Sequence, residues 1–267
     1  MKIIIFGSTG MLGNYLCQVL SKKFEVVGLN RKNIDLSKLT KDSTYELMNS
    51  LSVKNSIVIN ASGVIKQRSS DIDDLISVNS LFPNRLAEFS DSLDYKVIHI
   101  TTDCVFSGKT GNYTELSPHD ADDFYGRSKS LGENEKSCNI RTSIIGEEIF
   151  NKRSLLEWCR SMSKKTINGY TNHYWNGVTC LELSKLIEKM IKNDSIWTGV
   201  RHIFSEDISK HDLVKMINDC YKFDITVKKY ETEQSCDRTL RSIYDNPINE
   251  SLITQIEQMK LFSGVKG

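Results

Sequence analysis

The chain has 267 residues, enough for one large α/β domain or for one domain with a small appendage. Its 35 Lys and Arg stand against 34 Asp and Glu, a formal net charge of +1, which excludes a nucleic-acid binder running on bulk electrostatics. No apolar run approaches the length of a membrane span, and the opening residues lead into a glycine turn rather than forming a secretory leader.

The first predicted element is a strand, Ile3-Ile4-Ile5-Phe6, which stops at Gly7-Ser8-Thr9-Gly10-Met11-Leu12-Gly13. Leu12, Tyr15, Leu16, Val19 and Leu20 then recur at helical spacing. Strand, glycine turn and helix in that order are the context of a dinucleotide fingerprint. Gly7 allows the sharp turn, Gly10 the approach of a pyrophosphate, and Gly13 the close packing of helix on strand. The phosphates would rest on the free N–H groups at the helix start. A second strand, 24–29, ends at Asn30-Arg31-Lys32. The first charges there are cations, so Asn30 and Arg31 are expected at a 2′-phosphate and NADPH is preferred, with NADH as the other option. Asp35 either lies near the adenine or caps the next turn.

Residues 40–51 carry a weak helical pattern, and 56–60 read as a buried strand that stops at Ala61-Ser62-Gly63. Small residues at a strand's carboxyl end let a cofactor lie against the backbone. A helix is predicted from about 71 to 89, bent or broken at Pro83. The strand 96–101 delivers Thr102, Asp103, Cys104, Val105 and Phe106 to the sheet edge. A helix opening near Asp122 and Asp123 carries Tyr125 and Lys129, and 139–146 is a further strand. Beyond that the alternation weakens. Helices are predicted at 153–162, 180–192, 208–221 and 250–262, and short strands at 200–204 and 224–229. The stretch 169–179 reads as a polar, aromatic loop suited to a sugar or a base. The expected fold is α/β: a Rossmann-type doubly wound parallel sheet over 1–146, with a small C-terminal α/β substrate-binding region over 147–267. That region either stands apart or returns elements to the main sheet.

Tyr125 and Lys129, four apart, share one helix face. A phenol with an ordinary pKa of about 10 is a poor acid at neutral pH, and a nearby ammonium lowers it. A hydroxyl from Thr102 could orient a substrate carbonyl while Tyr125 protonates its oxygen.

With these motifs in order, the chain resembles the extended short-chain dehydrogenase/reductases. Within them it resembles the dTDP-4-dehydrorhamnose reductase family of nucleotide-sugar reductases. The residues that carry the resemblance are Gly7 to Gly13, Asn60-Ala61-Ser62-Gly63, Val78-Asn79 and Thr101 to Gly108. Tyr113-Thr114-Glu115, Tyr125 to Lys129 and Arg141-Thr142-Ser143 continue it. The match is dense to about residue 146 and thin afterwards, where Asn176-Gly177-Val178-Thr179 resembles the family's Gly-x-Pro-Thr turn without its proline. The resemblance implies reduction by NAD(P)H of the C4 ketone of a nucleoside-diphosphate 4-keto-6-deoxyhexose, with Thr102, Tyr125 and Lys129 as catalytic triad. It implies that Gly7, Gly10, Met11, Leu12, Gly13, Ala61, Ser62, Gly63 and Lys129 touch the cofactor.

Candidate substrate contacts are Cys104, Val105, Phe106, His173, Trp175, Asn176 and Arg238, the last as a ligand for the substrate diphosphate. One departure is that the family's Ser-Thr-Asp-Tyr-Val-Phe reads Thr-Thr-Asp-Cys-Val-Phe here. GDP-fucose synthase, a relative, pairs a cysteine two residues after its catalytic serine with a histidine. A second activity, epimerisation by Cys104 and His173, is therefore an alternative to plain reduction. The alternative from another class is a non-catalytic nucleotide-binding subunit. The seven cysteines are scattered without Cys-x-x-Cys spacing and the histidines without ligand spacing, so neither metal nor disulfides are expected. A cytoplasmic protein with reduced thiols follows. Its expected partner is a small nucleotide sugar, with no nucleic acid or membrane, and a homodimer is one option for its assembly.

Overall fold

The computed structural model describes residues 1–65, 71–150 and 152–264. In chain order come β1 (Lys2–Phe6), α1 (Met11–Leu20), β2 (Glu25–Leu29), α2 (Lys41–Ser50), β3 (Ser56–Asn60), α3 (Ile72–Ile76), α4 (Phe82–Leu93) and β4 (Tyr95–Thr102). There follow α5 (Phe124–Ser130), β5 (Cys138–Thr142), β6 (Ile144–Ile145), α6 (Leu155–Ser161), β7 (Thr166–Tyr170), β8 (His173–Trp175), β9 (Val178–Thr179) and α7 (Cys180–Lys192). The chain continues with β10 (Gly199–His202), β11 (Ile208–Ser209), α8 (Lys210–Tyr221), β12 (Thr226–Tyr230), β13 (Cys236–Asp237) and α9 (Leu252–Phe262).

Six strands form one parallel sheet in the order β10-β5-β4-β3-β1-β2. Side chains alternate across a strand, and here both sets are apolar, which is how a sheet covered on two faces reads. Ile3, Ile5, Ile57 and Ile59 pack with Leu16, Leu186 and Ile256 on one face. Ile4, Phe6 and Val58 pack with Met48, Phe82 and Leu86 on the other. From β1 the chain goes to β2 on one side and then to β3 on the other. Such a switch point leaves a crevice beyond the strands' carboxyl ends.

Two expectations need correction. The single helix over 71–89 is three pieces: α3, a π-helical turn at Ser77–Leu81, and α4 with Pro83 in its first turn. Proline has no N–H to give, so it is tolerated where a new helix begins. The loop 169–179 is also ordered as strands. β7 pairs with β12, β8 lies between β11 and β13, and β9 pairs with β6. β10 pairs with β5 and completes the main sheet from late in the chain.

Candidate active site

The glycine turn is built by backbone contact. Gly7 has φ +81°, and a Cβ there would meet the Ala61 carbonyl oxygen at 2.8 Å. A Cβ on Gly13 would stand 2.0 Å from the Gly7 carbonyl oxygen, so α1 is seated directly on the turn. Gly10 is the N-cap of α1 and makes no side-chain capping bond, so the helix start offers its own amides. Beyond the turn lies a groove of about 880 Å³, partly open to solvent. Its walls include Gly7 and Gly10, then Asn30, Arg31 and Asp35 after β2, and Ala61, Ser62 and Gly63 after β3. Asp35 caps the next turn and also borders the groove. Its carboxylate accepts from the Ser37 amide at 3.2 Å and the Ser37 hydroxyl at 2.8 Å, which holds it ionised below its ordinary range.

Met11, Leu12 and Gly13 do not line that groove. Leu12 is a core side chain and Gly13 packs against Gly7, so what these positions offer a cofactor is backbone amides at the start of α1 rather than side chains. Lys129 is 4% exposed, and its Nζ donates to the Ile100 carbonyl at 2.9 Å. The ammonium lies 3.9 Å from where a Gly63 Cβ would be, at the inner end of the groove. Burial lowers it to about 8, with Glu133 opposing.

β4 ends at Thr102, whose hydroxyl oxygen accepts the Cys104 amide at 3.1 Å and caps the 3-10 turn 103–105. Asp123 caps α5 by accepting from the Gly126 amide at 2.8 Å, and so fixes the turn that bears Tyr125. Burial pushes the Tyr125 phenol above its ordinary value. Cys104, Asp103 and Asp123 push it the same way, and the Thr102 hydroxyl bond opposes them. None of the strongest influences on the phenol is a cation, so the expected lowering by Lys129 does not appear in this arrangement.

Several expected substrate contacts have structural partners of their own. Val105 and Phe106 are wholly buried, and Phe106 stacks on Tyr113 with ring centroids 4.2 Å apart. Asn176 is 2% exposed and clamps two segments, donating to Asp207 Oδ1 at 3.0 Å and the Leu240 carbonyl at 2.9 Å while accepting the Leu240 amide. Trp175 is a core ring with the Lys210 ammonium 5.2 Å from its centroid. His173 Nε2 is engaged by the Thr232 hydroxyl at 2.8 Å. Arg238 is brought to the site, donating to the carbonyls of Phe106 at 2.9 Å and Ser107 at 3.2 Å. Burial pushes the Cys104 thiol up to about 12, with Asp103 adding to it, which leaves little thiolate for an epimerase pair. Sequence reasoning missed Asp103 and Lys210, which sit at this centre. Asp103 read as part of a motif, and Lys210 as a surface lysine opening a helix.

Among the described residues no helix is long and apolar enough to cross a membrane, no group of three or more His, Cys, Asp or Glu could hold a metal, and all seven cysteines are free.

Residues 1–145 match the family described as RmlD substrate binding domain. The dTDP-4-dehydrorhamnose reductase of Aggregatibacter actinomycetemcomitans is 27% identical over 237 residues, covering 82% of this chain and 78% of the relative. Among solved structures, a dTDP-4-dehydrorhamnose reductase from Clostridium acetobutylicum superposes with a TM-score of 0.83 at 19% identity, over 99% of this chain and 100% of the other. One from Bacillus anthracis, in complex with NADP, gives 0.82 at 20% identity over 98% and 99%. These two structures share the fold.

Proposed function

The chain belongs to the RmlD substrate binding domain family, and from that membership we propose that it is an NADPH-dependent oxidoreductase. It reduces the C4 ketone of a nucleoside-diphosphate 4-keto-6-deoxyhexose, for deoxysugar and surface-polysaccharide synthesis. The relatives' name makes the dTDP sugar the first candidate substrate. One observation carries the reading. The groove after the glycine turn runs to Gly63 and the Lys129 ammonium behind it, and Lys129 shares α5 with Tyr125.

The residues fit a dinucleotide. A side chain on Gly7 or Gly13 would collide with backbone, so the turn keeps its narrow form and presents amides. Arg31 faces the groove at the end of β2, where a 2′-phosphate is read. The cofactor, when bound, supplies the hydride. The chain's own residues do the rest. Gly7, Gly10 and the first amides of α1 hold the diphosphate; Asn30 and Arg31 hold the 2′-phosphate; Ala61 to Gly63 let the nucleotide lie flat on the sheet edge. Lys129 offers its remaining hydrogens to the nicotinamide ribose, Thr102 orients the ketone, and Tyr125 gives its proton to the ketone oxygen. Arg238 faces the substrate diphosphate. We place the functional division at residue 146, nucleotide side before it and sugar side after it.

The test is loss of NADPH absorbance with enzymatically prepared dTDP-4-keto-6-deoxyhexoses, followed by identification of the product. Oxidation of NADPH with appearance of a 4-hydroxy sugar is expected. A protein that binds NADPH tightly and consumes none with thymidine, uridine or guanosine 4-keto sugars would overturn the reading.

A further inference from the structure

Near the carboxyl ends of β3 and β4 two buried polar side chains meet. Asn60 pairs with His99 across the sheet, two residues beyond Val58 and Val97, so both lie on the face that those valines share with Phe82 and Leu86. They are 0% and 1% exposed. A polar pair set in an apolar layer has to satisfy itself. Asn60 does so in two directions. Its Oδ1 accepts the Ser62 amide at 3.2 Å and also the Ser62 hydroxyl, and its Nδ2 stands 3.2 Å from His99 Nδ1.

These contacts fix the hydrogens along the line. A backbone amide can only donate, so the Asn60 atom facing Ser62 is the oxygen and the one facing His99 is the NH2 group. That group can only donate in turn, so His99 Nδ1 is the bare nitrogen and the neutral ring carries its hydrogen on Nε2. Among the described residues nothing accepts from Nε2. No protein group pulls on the far side of the ring, and Asn60 alone chooses the tautomer. The ring stays uncharged, because burial, and then the Lys129 ammonium, hold it well below its ordinary titration range. Lys129 Nζ donates to the Ile100 carbonyl, one residue further along β4.

The outer end of the line is the floor of the groove. Ser62 lines it, and the Ser62 nitrogen lies 2.8 Å from where a Gly7 Cβ would be. The single hydroxyl hydrogen of Ser62 points inward to Asn60, so only lone pairs remain for what lies above it. Such an oxygen accepts a hydroxyl hydrogen and repels a phosphate oxygen. We propose that His99 is a positioning residue for the cofactor, acting through Asn60: its bare Nδ1 holds the Asn60 amide in one orientation, which keeps Ser62 an acceptor for a ribose hydroxyl of the dinucleotide. Were Nδ1 to carry the hydrogen, it would meet the Asn60 NH2 group and the amide would turn over. Its NH2 group would then face the Ser62 amide, and the turn 61–63 would lose the bonds that hold it. The role of Ser62 towards the cofactor rests on the reductase reading; the orientation of Asn60 and His99 does not.

Two measurements on the full chain test it. Histidine nitrogen-15 NMR, with His99 assigned among the five histidines by its loss in His99→Asn, reads the tautomer without any turnover. Wild type is expected to show Nδ1 bare and Nε2 protonated. In Asn60→Asp a carboxylate oxygen faces Nδ1 and no protein group resists at Nε2, so Nδ1 is expected to gain a hydrogen. A protonated Nδ1 in wild type overturns the proposal, whether or not Asn60→Asp folds, and so does a tautomer that a folded Asn60→Asp leaves unmoved. NADPH titration reads the consequence. His99→Leu, with His99→Phe in reserve should it fail to fold, offers Asn60 no acceptor and should weaken NADPH about tenfold. His99→Asn, whose oxygen can stand where Nδ1 stood, should stay within about threefold of wild type. Ser62→Ala should lose about as much as His99→Leu, and the double variant no more than either alone. Losses that add overturn the line from His99 to Ser62. So does equal loss in His99→Leu and His99→Asn, which would make the ring mere packing. Should wild type bind no NADPH, the dinucleotide reading falls and the role of Ser62 with it, while the tautomer still decides the orientation of Asn60.

Discussion

Tyr125 is the residue on which the proposed chemistry turns, and its environment makes a strong prediction. Nothing close to the phenol replaces its proton, since the Thr102 hydroxyl is no acid at neutral pH and Cys104 is held as a thiol. Tyr125→Phe should lower kcat by at least about 100-fold and leave NADPH affinity within about twofold, because the ring and its packing are kept. Stopped-flow reduction and fluorescence titration of the same sample check both halves. Arg31 makes a second prediction. It lines the groove with Asp35 and Asp74 as the other charges. Arg31→Ala should therefore weaken NADPH by about tenfold or more and NADH little; equal loss for both in a binding titration would reject the 2′-phosphate assignment. Gly13 makes a third, about stability. Its Cβ would enter the Gly7 carbonyl, and backbone cannot swing aside as a flexible side chain does. Gly13→Ala should cost about 1–3 kcal/mol, read from the urea midpoint, with NADPH binding weakened as α1 is displaced.

At the scale of elements, a buried ionic cluster ties β5 and β10 to the loops around them. Arg141, 1% exposed, donates to both oxygens of Glu133, to His202 Nε2 at 2.7 Å and to His119 Nε2 at 2.6 Å. Those imidazole nitrogens must accept, so both rings are neutral in the native state. Burial, and then the Arg141 charge, push His202 down to about 4 from an ordinary 6.5; His119 shifts the same way for the same reasons. The unfolded chain takes up a proton at His202 below about 6.5 and the native state does not until about 4. Stability from this source is thus complete above pH 6.5 and falls as the pH drops from 6.5 towards 4, by on the order of 2–3 kcal/mol. Urea midpoints at pH 7, 5.5 and 4.5 should fall steadily, and His202→Asn, which can still accept from Arg141, should flatten the decline. No trend with pH in wild type would refute the account.

Across the whole molecule, the first half was legible and the second half was not, for a physical reason. β1, β3 and β4 are buried on both faces, so they appear as apolar runs bounded by small residues, and the glycine turn has no other economical use. β7 and β12 are largely exposed on both sides. Their side chains carry no alternation, and each strand exists only because a partner arrives some 60 residues away. Asn176 looked like a ligand because a polar residue in an aromatic stretch suggests a sugar, yet its amide is consumed by Asp207 and Leu240. Lys210 gave no signal at all, since a lysine opening a helix is ordinary until the fold sets it over Trp175.

Late arrival also governs the main sheet itself. The strand that covers the flank of β5 is made from residues 199–202, after the segments from α6 to α7 have been threaded. A protein cut after residue 146 would retain the glycine turn and the residues proposed for proton transfer, yet would present the bare hydrogen-bonding rim of a wholly buried strand. Such a fragment should self-associate through that rim. The boundary drawn for function is thus no place to divide the polypeptide, because a strand from well beyond it completes the sheet that carries the groove.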